Sequence, residues 1–68
     1  MSRTTKVVVE GGGENLYEIS ESGGRFAVYK IKVNLLANSR NSIGTTGSLE
    51  NALALIRSHS GKGIKSVD

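Results

Sequence analysis

Gly44, Thr45, Thr46, Gly47 and Ser48 put two glycines and three hydroxyls in five consecutive positions, directly before the helix-forming run LENALALI. These are the residue types of an anion cradle. The first N–H groups of a helix lack internal partners, and together with the helix dipole they attract phosphate. Gly44 and Gly47 would let backbone approach such a group closely. Thr45, Thr46 and Ser48 would add hydroxyl donors, and Arg40, four residues upstream, would add a bidentate guanidinium. A plainer account of the same residues is a tight turn followed by a Ser48 N-cap, which explains everything but the clustering of hydroxyls. Glu50, in the first turn of the expected helix, opposes a strongly anionic ligand there.

The stretch Ile43-Gly44-Thr45-Thr46-Gly47 resembles the Ile-Gly-x-x-Gly clamp of KH-type RNA-binding domains, in which such a loop joins two helices. The resemblance implies a grip on nucleotide backbone. It covers these five residues only. The preceding segment is rich in Asn and Ser, no basic residue lies between the glycines, and three expected strands precede the motif, so no family is assigned from it.

Other chemistry is excluded more simply. Ser60-Gly61-Lys62-Gly63 echoes the end of a P-loop, but Ile56 stands where the first glycine should be and Gly63 where Ser or Thr should follow the lysine. His59 is the only histidine, and its neighbours Ser58 and Ser60 point elsewhere on a helix, so no triad forms. The carboxylates Glu10, Glu14, Glu18, Glu21 and Glu50 show no pairing across a pocket and read as solvated side chains. Without cysteine there is no zinc site and no disulfide framework. The chain reads as a non-enzyme with no metal and no cofactor.

The elements that must position these residues follow from local pattern. Lys6–Glu10 is short and β-branched and runs into three glycines, as a strand ending in a loop does. Asn15–Ser20 alternates, with Tyr17 and Ile19 on one face and Leu16 and Glu18 on the other, and Gly23-Gly24 supplies a hairpin turn. Arg25–Val33 places Phe26, Val28, Lys30 and Lys32 on one face and Ala27, Tyr29, Ile31 and Val33 on the other. Apolar side chains thus stand on both faces. Asn34–Ser42, with three asparagines and two serines, reads as a loop, and Ile43 begins a short fourth strand.

Leu49, Ala52, Leu53 and Ile56 recur at helical spacing, with Leu55 widening the stripe; Arg57 and His59 suit the last turn, and Gly61 the position after it. Gly63–Val67 returns as an edge strand. The expected fold is α+β over residues 1–68 as one domain: a three- or four-stranded antiparallel meander, one amphipathic helix across one face, and a short C-terminal strand.

Size and charge then narrow the function. A chain of 68 residues buries only about 60% of the surface it exposes when unfolded, and this one lacks both usual staples of small domains. Self-association is the staple that remains, and the two-faced third strand offers a surface for it. The net charge of +3 favours anionic partners but is low for a nucleic-acid binder. Tyr29 lies across its strand from Lys30 and Lys32, so only a ligand held between subunits would meet all three. No apolar run is long enough for a signal peptide or a membrane span, which points to a cytoplasmic protein.

The leading expectation is a homo-oligomeric, non-catalytic protein that binds a phosphate-bearing ligand such as a nucleotide. Its candidate residues are Arg40, Gly44, Thr45, Thr46, Gly47, Ser48 and Tyr29. The alternatives are a nucleic-acid-binding module and a protein-interaction module that docks through the second sheet face.

Overall fold

The computed structural model describes residues 3–11, 15–33 and 35–68. Its elements run β1 (Arg3–Val9), β2 (Leu16–Ser22), β3 (Arg25–Val33), β4 (Asn38–Thr46), α1 (Leu49–Ser60) and β5 (Ile64–Val67). The strands form one antiparallel sheet in the order β4-β3-β2-β1-β5, so β2 is the middle strand. Gly23 and Gly24, at φ 58° and 78°, close the β2–β3 hairpin with the positive dihedrals that a two-residue turn needs. The β1–β2 connection expected at Gly12 and Gly13, and the Glu14 carboxylate, lie outside the described residues.

Helix α1 covers one face and packs chiefly on β3 and β4. Ala52 and Ile56 meet Val7, Val9, Tyr17, Ile19 and Val28 in a fully buried core, and Phe26, Ile43, Leu53, Leu55 and Ile64 pack around it. Alternation dictates this composition, because Val7 and Val9, Tyr17 and Ile19, and Phe26 and Val28 are each two apart on their strands and point to the same side. Leu49, expected in the core, is 40% exposed. It lines a hollow of about 240 Å³ with Ile19, Phe26, Val67, Arg3 and Glu21.

The segment expected to be a loop is mostly strand. Asn38–Thr46 pairs with β3 along its whole length, from Val33 opposite Asn38 to Phe26 opposite Thr46. Its polar composition hides this, since β4 is an edge strand held by backbone hydrogen bonds rather than by apolar side chains. A bulge at Ile43, between Ser42 opposite Tyr29 and Gly44 opposite Val28, turns the isoleucine toward the core. Gly44, at φ 157°, lies so close to α1 that a Cβ there would stand 2.8 Å from Leu55 Cδ2.

The helix ends are built as its sequence implies. Ser48, in extended conformation, accepts the Asn51 N–H on its Oγ at 3.1 Å, and Gly61, at φ 70°, donates its N–H to the Arg57 carbonyl at 2.9 Å.

Candidate functional site

The residues proposed to cradle an anion are not gathered in one turn. Gly44, Thr45 and Thr46 belong to β4, and only Gly47 and Ser48 separate it from α1. Two of the hydroxyls are already engaged, Ser48 Oγ by Asn51 and Thr46 Oγ1 by the Ser48 carbonyl, to which it donates at 2.8 Å. Thr45 sits opposite Ala27 on the helix-free face, whereas Thr46 sits opposite Phe26 on the helix side.

Arg40 is far from this segment. It pairs with Ile31, five residues along β3 from the partner of Thr46, a separation on the order of 17 Å at strand rise. The basic group beside the segment is instead Arg25, which lines a shallow hollow of about 280 Å³ with Thr45, Thr46 and Gly47. Position 25 begins β3, and only the hairpin register brings it beside β4. The likeness to a KH clamp ends here as well, because its first glycine lies within an edge strand and not between two helices.

The second face of the sheet carries the more developed arrangement. Two cross-strand rows are set by the register. Lys6, Glu18, Tyr29 and Ser42 form one row, and Val8, Leu16, Ile31 and Arg40 form the next. From its row Arg40 reaches diagonally into the other. Its Nη2 lies 3.2 Å from Glu18 Oε1, and its Cζ stands 4.4 Å from the centre of the Tyr29 ring. Of the candidate residues, Arg40 and Tyr29 are therefore in contact with each other, on the open face and with Glu18 neutralising the guanidinium.

Beyond this cluster the face turns apolar. Leu16 is 37% exposed and Val33 63%, and past the end of β3 the tip residues Leu35 and Leu36 are 105% and 99% exposed. Val8 and Ile31 flank Leu16 on either side and are half-buried. A hollow of about 290 Å³ opens at this end, lined by Lys6, Leu16, Tyr17, Glu18, Ile31 and Asn38. Sequence reasoning placed Tyr29, Ile31 and Val33 on this face but missed Leu35 and Leu36, because it assigned them to an undifferentiated loop. The adjacent leucines in a polar segment were the available signal.

Among the described residues no group of three or more histidines and carboxylates is placed to hold a metal ion. No helix there is long and apolar enough to cross a membrane. Compared with known proteins, the chain matches no protein-family model, no curated protein and no solved structure.

Proposed function

We propose that this chain is a non-catalytic association module that works as a homo-oligomer, with the helix-free face of its sheet as the contact surface. The observation that carries the reading is the distribution of exposed aliphatic residues. Of the exposed large aliphatic residues among those described, Leu16, Val33, Leu35 and Leu36 lie on that face or at its β3–β4 end, where α1 covers nothing, while Leu49 and Val67 line the separate hollow beside the helix. An antiparallel sheet with one solvated face is expected to be polar there, and a contiguous apolar region on a small soluble domain marks a contact surface.

Size supports the same reading. The molecule measures 33 by 26 Å in its two longer directions, so its broad face is on the order of the ~800 Å² that each partner gives to a standard interface. Composition supports it too. The face carries Lys6 and Arg40 as well as Glu18, which gives a second copy charges of both signs to meet. Nucleic acid is served less well, because the guanidinium on this face is already paired with a carboxylate.

Sedimentation velocity on wild type and Ile31→Lys tests this reading, with circular dichroism to establish that the variant folds. A wild-type dimer and a folded, monomeric variant are expected. An equally dimeric variant would remove the face from the interface.

A second reading keeps a phosphate-bearing ligand, and Arg25 beside Thr45, Thr46 and Gly47 favours it. Calorimetric titration of nucleotides into wild type and Arg25→Ala separates the two. Absence of heat with wild type returns this segment to the role of a capped helix start.

A further inference from the structure

The two edges of the sheet are guarded differently. β5 is four residues long, carries Lys65 and pairs with β1 across a register shift, all of which blunt an edge. β4 is nine residues long and contains no proline, lysine or carboxylate. Its one irregularity, the bulge at Ile43, leaves residues 38–42 as a regular ladder on β3, and all of them are exposed. Alternate residues of an antiparallel strand turn their N–H and C=O groups outward, and among the described residues no strand pairs with the outer side of β4.

Charge is distributed as unevenly. Between Glu21 and Glu50 the sequence has four cations, Arg25, Lys30, Lys32 and Arg40, and no carboxylate. All four fall on β3 and β4. Lys30 stands opposite Asn41 and Lys32 opposite Ser39 on the helix side of the sheet, while Arg40 stands on the other face. We propose that the outer edge of β4 binds an extended acidic segment of another protein, which joins the sheet as a further strand.

In such an addition the main chain gives affinity and the side chains give preference. Strands lie ~4.8 Å apart, so the added strand runs ~10 Å from β3. Asparagine and serine on β4 leave the long lysine stems a path across to it. Arg40 is on the edge strand itself, and its bond to Glu18 through Nη2 leaves other N–H groups of the guanidinium to donate to a second carboxylate. A second copy is matched poorly here, because β4 against β4 would bring the cations of both chains together. Nucleic acid would meet the cations but offers no row of amides and carbonyls to match the strand. Stacking through the helix-free face leaves sheet edges open, so the dimer proposed above presents this edge twice.

A capped peptide of alternating threonine and glutamate, about eight residues long, is titrated into the full chain, and binding is followed by NMR amide shifts and hydrogen exchange. The comparison probes are the same peptide with lysine for glutamate, the glutamate peptide N-methylated at every amide, and oligothymidylate. The glutamate peptide is expected to shift and protect amides of β4, and the lysine and N-methylated peptides to leave them unchanged. The double variant Lys32→Glu/Arg40→Ala, at two exposed positions, should bind the glutamate peptide on the order of 10-fold more weakly while keeping its circular dichroism. Equal binding of the lysine peptide, or a folded double variant that binds as wild type does, would overturn the acidic preference. Equal binding of the N-methylated peptide, or shifts confined to other strands, would overturn the edge as the site. No shift with the glutamate peptide at millimolar concentration would overturn both. Oligothymidylate bound at β4 more tightly than the glutamate peptide would give the cations to nucleic acid and likewise overturn the proposal.

Discussion

The phenol of Tyr17 lies 3.0 Å from Nδ1 of His59, joining the middle strand of the sheet to the last turn of the helix across 42 positions of sequence. The rings meet edge to face, with centroids 5.9 Å apart and planes at 81°. Tyr17 is only 2% exposed, so its hydroxyl depends on a partner from the helix. Tyr17→Phe and His59→Ala are each expected to cost about 0.5–1.5 kcal/mol. Chemical denaturation of both single variants and the double should show coupling, the double costing less than the sum. Strict additivity would mean that the two groups do not share this bond.

Ile56 is fully buried, whereas Leu53 is only half-buried at the edge of the same cluster. Ile56→Ala should therefore cost about 2–5 kcal/mol, a large part of what so small a domain has, and Leu53→Ala distinctly less. Denaturation midpoints in the reverse order would rotate the helix relative to the packing described.

Gly44 and Leu55 provide a sharper test of how β4 meets the helix. A methyl group at position 44 would stand 2.8 Å from Leu55 Cδ2, at a dihedral few residues other than glycine adopt. Gly44→Ala should destabilise by about 1–3 kcal/mol, and trimming the opposing side chain should relieve part of that cost. In thermal melts Leu55→Ala should accordingly be less damaging in the Gly44→Ala background than in wild type. An identical effect in both backgrounds would place the two residues out of contact.

Two of the three hydroxyls before the helix, those of Thr46 and Ser48, hold its start. Ser48→Ala removes the cap and should cost about 0.5–2 kcal/mol, and Thr46→Val, which removes the donor to the Ser48 carbonyl, about 0.5–1.5 kcal/mol. Arg40→Ala, which removes an exposed guanidinium from half-buried Glu18, should change stability by about 1 kcal/mol or less. Urea titrations check all three, and an unchanged Thr46→Val would show that its hydroxyl bond contributes nothing.

These residues also show what the sequence could convey. Strand β3 and helix α1 run over the expected residues, Arg25–Val33 and Leu49–Ser60, because apolar periods of two and of about 3.6 leave a signal whatever the tertiary context. Strand β4 left a signal only at Ile43, and none over residues 38–42. Ser39, Asn41 and Ser42 are polar on both faces, and the strand exists because β3 offers it a full row of backbone partners. The candidate site suffered the same limitation. That Arg40 contacts Tyr29 and Glu18, and that Arg25 shares a hollow with Thr45 and Thr46, depends on a register that no local pattern records. The exposure of Leu35 and Leu36 likewise belongs to the hairpin tip, not to the residue types.

Self-association through the helix-free face is the claim on which the rest depends, and sedimentation equilibrium of the wild-type chain across the micromolar range tests it most directly. The account predicts a reversible monomer–dimer equilibrium with the dimer dominant at the upper end. It also predicts that Ile31→Lys shifts this equilibrium to monomer while keeping its circular dichroism. A wild-type chain that is folded and monomeric at every concentration would contradict it.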